Sequence, residues 1–178
     1  MQKLLLFSRA NLPIFTLLDD ADYEWASRFR WRLNSKGYAV RSFTIDNREI
    51  VLSLHRELAQ PPKGFVVDHI DHDRLNNTRV NLRVITQSQN LANRRIGKNN
   101  STGFKGVNYQ NGKWHARIQK DGIEVHLGHY DDLKTAAQVY DCAAKWLFGD
   151  CALLNLPNHP IPIEIDANVR YYLVTHLE

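Results

Sequence analysis

Four polar side chains in the middle of the chain have the chemistry needed to hydrolyse a phosphodiester bond. They are the adjacent Asp68 and His69, followed by Asn81 and Asn90. Hydrolysis requires a water activated near neutral pH and stabilisation of the charge that develops on the phosphate. A neutral histidine can activate the water if its second ring nitrogen has a hydrogen-bond acceptor. A carboxylate and an amide oxygen can hold a hard divalent ion, so these residue types predict metal-assisted hydrolysis.

The surrounding sequence predicts the elements that position these side chains. Residues 65–67 form a short apolar strand that runs into Asp68 and His69, and a second strand over 82–86 begins after Asn81. The segment 87–95 predicts a helix with Asn90 one turn from its start. Singly, each of the four residues also suits an ordinary turn or helix face. Together they favour a site, because a strand pair packed against that helix can bring all four side chains close.

The segments LHREL (54–58) and GFVVDHIDHDRLNNTRVNLRVITQSQNLANR (64–94) resemble HNH endonucleases with the ββα-metal fold. The resemblance is to the phage homing-endonuclease branch. It implies His69 as the general base, Asn81 as the residue that orients its ring, and Asp68 and Asn90 as metal ligands. It also implies Mg²⁺ as the cofactor, with Mn²⁺ as the alternative.

Other histidines lie close to this motif in the sequence. A zinc site formed by His55, His69 and His72 is an alternative, and it is weakened because the segment offers no cysteine ligands. His55, within LHREL, is more simply explained as a structural residue.

Positive charge is concentrated in one central block. The net charge is only +4, but the 47 residues from Arg74 to Lys120 contain ten Lys or Arg and no Asp or Glu. All 19 acidic residues of the chain therefore lie outside this block. Such a concentration predicts a polyanionic partner, whereas an ordinary solvated surface mixes both signs.

The last part of this block begins a second predicted module. Alternating residues predict strands over 104–109, 113–119 and 124–130, with turns at 111–112 and 121–122, and then a helix that ends at Gly149. On the middle strand, Trp114, Ala116 and Ile118 share one face, so a polar and basic face is left for the major groove of DNA. An ordinary solvated sheet face is the alternative explanation.

Residues 101–157 resemble the plant Apetala-two/ethylene-response-factor DNA-binding domain. The elements KGV, GKW, LGHY, AA-x-x-YD-x-AA and LN-x-P occur in that order. Several contact positions, such as Glu124 and His126, differ from those usual in the plant proteins, so a different target sequence is expected. The predicted DNA-contacting residues are Arg94, Arg95, Lys98, Lys105, Tyr109, Lys113, His115, Arg117 and Gln119.

The sequence therefore predicts an α+β chain with a ββα-metal (His-Me finger) core, a mixed strand and helix extension before it, and a three-stranded antiparallel sheet packed on one helix. The expected divisions are an HNH domain over 1–96 with its core at 54–95, a linker at 97–103, a DNA-binding domain at 104–157, and a tail at 158–178. Within that tail, residues 161–165 alternate like a strand, whereas residues 168–177 suit a helix.

The expected function is a divalent-metal-dependent, homing-type DNA endonuclease that nicks double-stranded DNA. One alternative is a sequence-specific DNA-binding regulator whose nuclease unit is inactive, and another is a structural or RNA-binding protein. No apolar run reaches the ~20 residues needed to span a bilayer, and the two cysteines suggest free thiols. We expect a cytoplasmic monomer, in the host cell if phage-encoded, with no membrane partner and no small-molecule substrate.

Overall fold

The computed structural model describes residues 1–7 and 12–177 and shows a mixed chain with several small sheets. The helices are α1 (Asp20–Ala26), α2 (Leu54–Ala59), α3 (Gln87–Asn93), α4 (Leu133–Phe148) and α5 (Ile163–Leu177). The strands are β1 (Gln2–Leu6), β2 (Ile14–Leu18), β3 (Arg32–Leu33), β4 (Ala39–Ile45), β5 (Arg48–Ser53), β6 (Phe65–His69), β7 (Leu82–Thr86), β8 (Val107–Gln110), β9 (Lys113–Lys120) and β10 (Ile123–Tyr130).

The chain divides into two compact units, Met1–Gln87 and Ser88–Glu178. In this division α3, from Ser88 onwards, belongs to the second unit. The sequence prediction kept this helix in the first domain and placed the division in the linker at 97–103. No helix among the described residues is both long enough and apolar enough to cross a membrane.

The first unit is built from small antiparallel sheets around one apolar core. β1 pairs with β2, and β4 lies between β3 and β5. The predicted Asp-Asn turn joins β4 to β5, and both of its residues, Asp46 and Asn47, have positive φ, as a tight two-residue hairpin turn requires. Trp31 is fully buried in the core and donates its indole N–H to the carbonyl of Ala26 at 2.9 Å.

A two-stranded sheet formed by β6 and β7 carries the candidate catalytic residues. The two strands are antiparallel, and Asp68 lies opposite Arg83 while His69 lies opposite Leu82. Both predicted strands are therefore present, and β6 ends at His69. The loop between them crosses β2: the N–H of Leu17 donates to the carbonyl of Leu75, and the N–H of Asn77 donates to the carbonyl of Leu17.

The second unit contains a three-stranded antiparallel sheet, in the order β10-β9-β8, that packs on α4. Alternate residues of β9, including Ala116 and Ile118, are buried against the small residues of α4. The carboxylate of Asp132 caps α4 by accepting from the N–H of Thr135 at 2.8 Å, and Gly149 ends the helix with a positive φ of 54°. The three strands and the helix of this region are as predicted.

The tail after residue 158 is helical. Of the two possibilities raised by the sequence, helix α5 begins at Ile163, so the alternation of Ile161, Ile163 and Ile165 does not mark a strand. The carboxylate of Asp166 accepts from the indole N–H of Trp146 at 2.7 Å, which fixes the start of α5 on α4.

Candidate active site

His69 lies at the end of β6 and is almost fully enclosed. Its exposed fraction is 4%. Burial lowers the pKa of His69 below its usual value. This effect outweighs the hydrogen bond that His69 makes to Asn77 and the charges of Asp68, Asp71 and Asp73, which raise the pKa. The ring is therefore neutral at neutral pH, as a general base requires.

The partner of the His69 ring is Asn77, which lies in the loop between β6 and β7. The Nε2 atom of His69 is 3.2 Å from Oδ1 of Asn77, and Asn77 is 1% exposed. The amide of Asn77 is itself oriented by Thr16 on β2, whose Oγ1 accepts from Nδ2 of Asn77 at 2.7 Å and donates to the carbonyl of Leu75 at 2.7 Å.

This chain of hydrogen bonds determines the state of the His69 ring. Because the hydroxyl proton of Thr16 points at Leu75, its oxygen must accept from the Asn77 amide nitrogen. The amide oxygen therefore faces His69 and accepts a proton from Nε2. The lone pair of the neutral ring is then on Nδ1, which makes Nδ1 the basic atom.

Asn81 does not orient His69, which corrects the prediction made for it. Its Oδ1 accepts from the N–H of Asp71 at 3.0 Å, and its Nδ2 donates to Oδ1 of Asp71 at 2.9 Å and to the carbonyl of Asn76 at 2.8 Å. Asn81 lies in the short 3₁₀ turn before β7, so its amide points into the loop and holds that loop closed. The sequence contains no signal that distinguishes Asn77 from its neighbour Asn76 as the inward-facing residue.

Asp71 is central to the structure of this loop. Burial would raise its pKa, but hydrogen bonds from the side chain of Asn76, the N–H of Asp73 and the side chain of Asn81 lower the pKa below its usual value. Its Oδ2 accepts from Asn76 at 2.7 Å and its Oδ1 accepts from the N–H of Asp73 at 2.8 Å. The loop is thus held by several polar contacts between β6 and β7.

Asp68, the predicted metal ligand, is paired across the strands with Arg83. Both Nε and Nη2 of Arg83 approach Oδ2 of Asp68, at 2.9 and 2.8 Å. Both side chains are half-buried. A carboxylate held in this way has a fixed orientation, which is a property of metal-ligating carboxylates with hydrogen-bonded outer partners.

An aromatic stack supports the His69 ring. The ring of His55, on α2, is 5.3 Å from that of His69 and 4.9 Å from that of Tyr38, measured between centroids. Burial, and then the nearby His69, lower the pKa of His55 to about 4, so His55 is neutral and packs as a ring. Within residues 1–7 and 12–177, no group of three or more His, Cys, Asp and Glu side chains is placed to hold a metal ion, so the zinc alternative with His55 and His72 is not supported.

Asn90, the fourth predicted site residue, is half-buried on α3 and belongs to the second unit. The basic residues that follow the helix, Arg94, Arg95 and Lys98, are exposed. The structure thus places Asp68, His69 and Asn81 on one strand pair with its loop.

The sheet of the second unit has the polar outer face that the sequence predicts. Lys113, Arg117 and Gln119 on β9 are exposed there. Two of these residues are in ion pairs. Lys113 pairs with Asp131, and Nη1 of Arg117 lies 3.2 Å from Oε2 of Glu124. The basic face is therefore partly neutralised by its own carboxylates.

Tyr109, a predicted DNA contact, lies on the opposite side of the sheet from these residues. It is exposed, but it pairs across the strands with Trp114, which packs against the core, and the two ring centroids are 4.7 Å apart. Two imidazole rings complete the outer face. The rings of His115 and His129 are 4.0 Å apart, and Nε2 of His115 lies 3.1 Å from the carbonyl oxygen of Gln110.

Lys105, another predicted DNA contact, is half-buried in the segment before β8. Its Nζ donates to the carbonyl of Ala92 at the end of α3. Burial lowers the pKa of Lys105 to about 8. The sequence pattern could not show that this lysine points inward, because the contacting carbonyl belongs to a preceding helix.

Comparison with known proteins decides the family. A family model described as HNH endonuclease matches residues 60–92. The protein "Uncharacterized HNH endonuclease L560" of Acanthamoeba polyphaga mimivirus is 33% identical over 131 residues, which cover 72% of this chain and 68% of that protein. This chain belongs to the HNH endonuclease family. It is accordingly an endonuclease.

Other proteins resemble parts of this HNH endonuclease. Protein 3.8 of Escherichia phage T7 is 31% identical over 81 residues, covering 44% of this chain and 67% of that protein. "Dehydration-responsive element-binding protein 2D" of Arabidopsis thaliana is 44% identical over 62 residues, covering 33% and 30% respectively. A solved structure described as "DNA binding and cleavage by the HNH homing endonuclease I-HmuI" is 25% identical, with a TM-score of 0.35, over 61% of this chain and 65% of that chain.

Proposed function

We propose that this HNH endonuclease is a divalent-metal-dependent enzyme that nicks double-stranded DNA and is directed to it by the second unit. The observation that carries the proposal is the buried, neutral His69 whose Nε2 proton is held by Asn77. This arrangement leaves Nδ1 to accept a proton from a water molecule, and that water then attacks the phosphorus. The departing oxygen becomes a 3′-hydroxyl and the other product keeps the 5′-phosphate.

The donor set of the site fits a hard divalent ion. Asp68 offers a carboxylate oxygen, and oxygen ligands of this kind suit Mg²⁺ or Mn²⁺. We propose that Asp68 holds the ion, with Arg83 keeping its carboxylate in place. A bound ion would supply stabilisation of the negative charge on the phosphate and leaving oxygen.

Asn81 contributes by keeping the loop closed. Its three hydrogen bonds to Asp71 and Asn76 hold the segment that contains Asn77. Loss of these bonds would allow Asn77 to move, and His69 would then lose its fixed orientation. Asn81 is thus a positioning residue in the proposed mechanism.

The outer face of the sheet is the proposed DNA-binding surface. Support comes from its exposed basic and polar residues, and from the resemblance of this region to the Arabidopsis protein, whose name describes binding to a dehydration-responsive element. Strands of a β-sheet can lie in the major groove and contact base edges. Arg94, Arg95 and Lys98 add exposed positive charge that phosphates can approach. We further propose that the protein acts in the cytoplasm as a monomer.

Relaxation of supercoiled plasmid in the presence of Mg²⁺ tests the catalytic proposal. The protein should yield relaxed circles, and His69→Ala should be slower by about 10²–10⁴-fold, the usual contribution of a general base. His159→Ala, at an exposed histidine of the second unit, is the matched control and should cleave at the wild-type rate.

Four results would argue against the proposal. Cleavage by His69→Ala at the wild-type rate would exclude His69 as the base. Linear product appearing without a relaxed intermediate would exclude nicking by a single site. Tight duplex binding with no cleavage under any divalent ion would instead favour the alternative of a regulator with an inactive nuclease unit, and a preference for RNA over duplex DNA would favour an RNA-binding protein.

A further inference from the structure

Two histidine side chains lie side by side on the outer face of the sheet in the second unit. His115 on β9 is paired directly with His129 on β10, and the centroids of the two rings are 4.0 Å apart. His129 is exposed and His115 is half-buried. Directly opposite residues of paired strands project from the same side of a sheet, so both rings face the surface that is proposed to contact DNA. The chemistry proposed for His69 uses neither of them.

The contact with Gln110 determines which nitrogen of His115 can gain a proton. The Nε2 atom of His115 lies 3.1 Å from the carbonyl oxygen of Gln110. A carbonyl oxygen only accepts hydrogen bonds, so Nε2 carries a proton in the neutral ring. The other nitrogen, Nδ1, is therefore the atom that binds a proton when the ring becomes charged. Protonation of His115 leaves its bond to Gln110 intact and turns Nδ1 into a second donor.

The charged and titratable groups around the pair leave it without an acidic partner. On this side of the sheet, β8 contributes the uncharged side chains of Asn108 and Gln110. The other such groups lie on β9, on β10 and directly after β10: Lys113, Arg117, Glu124, His126 and Asp131. The two carboxylates of this set are in ion pairs with the lysine and the arginine, and Glu124 also lies 3.9 Å from His126. Within the described part of the chain, neither His115 nor His129 is in an ion pair.

Two adjacent imidazole rings need an anion beside them in order to become charged together. Imidazole is the side chain whose charge changes between about pH 5 and 8. Two charged rings at this separation repel each other, which disfavours the second proton. A phosphate removes this penalty because its oxygens carry negative charge and accept strong hydrogen bonds from charged donors. The neutral edge of a base offers no such charge, so a backbone phosphate is the part of DNA that suits the pair.

We propose that His115 and His129 form a phosphate-binding site on the outer face of the sheet, and that DNA binds there together with a proton. This inference rests on the proposed role of that face in duplex binding. It goes further by naming the group that is bound, a backbone phosphate, and a consequence, an affinity for DNA that depends on pH.

The experiment measures binding of the full chain to a fluorescein-labelled duplex of mixed sequence by anisotropy, in EDTA and at constant ionic strength. The wild-type protein should bind about tenfold more tightly at about pH 6 than at about pH 8, the lower end of what a hydrogen bond to a charged group contributes. The salt dependence of binding should also be steeper at the lower pH by roughly one unit of slope, because one more phosphate is contacted by a cation.

Glutamine replaces the two histidines in the variant that tests the site. The double variant His115→Gln/His129→Gln keeps polar side chains and cannot take up the proton, so it should lose most of the gain in affinity at the lower pH. His129→Gln alone preserves the bond between His115 and Gln110 and should lose at least half of the gain. This single variant is the test if the double variant does not fold. His159→Gln, at an exposed histidine of the same unit, is the matched control and should keep the full gain.

Several outcomes would overturn the inference. They are an affinity of the wild-type protein that does not change with pH, and a full gain in the folded double variant, or in His129→Gln when the double variant does not fold. A gain that disappears in His126→Gln and persists in the double variant would assign the proton to that histidine instead.

Arg117→Ala separates failure of the inference from failure of the proposed function. Weaker binding by Arg117→Ala at both pH values, together with a full gain in the double variant, would leave the DNA-binding face standing and refute the phosphate site. Wild-type binding by both Arg117→Ala and the double variant at both pH values would show that this face does not contact DNA, and the proposed role of the face would fail together with the inference.

Discussion

The substitution Asn77→Ala tests the structural account of the base most directly. It removes the acceptor of the His69 Nε2 proton and the donor to Thr16, both of which are buried. Thr16 keeps its bond to the carbonyl of Leu75, so the main loss is one buried ring N–H without an acceptor. Such a group costs about 1–3 kcal/mol, so the free energy of unfolding should fall by about that amount.

The catalytic effect should exceed the one explained by stability alone. Without Asn77 the His69 ring can exchange its tautomer and rotate, so the lone pair is no longer held at Nδ1. We expect the rate constant for cleavage to fall by about 10–100-fold, the usual cost of losing an outer hydrogen-bond partner, and by less than in His69→Ala. The assay is single-turnover plasmid relaxation at saturating DNA and Mg²⁺, at a temperature where urea melts show that the variant is folded.

The control for this prediction is the adjacent Asn76→Ala. Asn76 bonds to Asp71 and Thr78 and does not contact His69, so this variant should lose stability but retain a higher cleavage rate than Asn77→Ala. If Asn77→Ala were destabilised yet cleaved at the wild-type rate constant, the bond would serve only the fold, and the assignment of Nδ1 as the base would lose its support.

Two further predictions concern the sheet face and the loop. Glu124→Gln should release Arg117 and raise the affinity for duplex DNA by about threefold, the scale of an exposed ion pair. This gain should disappear in an Arg117→Ala background, in which the salt dependence of binding should flatten by roughly one unit of slope. A gain that persists in that background would show that Glu124 acts only by general repulsion of DNA. Asp71 has a lowered pKa in the folded state, so its contribution to stability is present above its usual pKa and is lost as the pH falls below about 4. Asp71→Asn should therefore show a smaller loss of unfolding free energy between about pH 5 and 3 in urea melts, and an unchanged acid slope would contradict the role given to its hydrogen bonds.

The regular elements around the site could be predicted from the sequence because their signals are local. The alternation in β9 and the small-residue face of α4 each specify which side of the element is buried, and the apolar run at 65–67 indicates a strand. Tight turns such as Asp46-Asn47 were equally clear, because few residues tolerate positive φ. The tail was ambiguous because isoleucines two residues apart suit both a strand and one side of a helix.

The contacts that give the site its chemistry could not be predicted in the same way. Asn77 faces His69 because Thr16 and Leu17 of β2, distant in sequence, hold the loop. Lys105 points to Ala92 rather than to solvent for a similarly non-local reason. The number of basic residues predicted a polyanion-binding surface, but the pairing of Arg117 with Glu124 depends on the register of β9 and β10. Composition gives the total charge and does not show which charges are already paired.

The contact between the loop and β2 sets a lower limit on the size of an active fragment. The family match covers residues 60–92, yet the amide of Asn77 is oriented by Thr16, and the loop backbone pairs with Leu17. A peptide that contains only the matched motif would have every residue of the motif and no fixed tautomer at His69. The smallest piece that can preserve the base must include β2, together with β1, which pairs with it, so removal of this hairpin should cost cleavage activity although the matched motif stays intact.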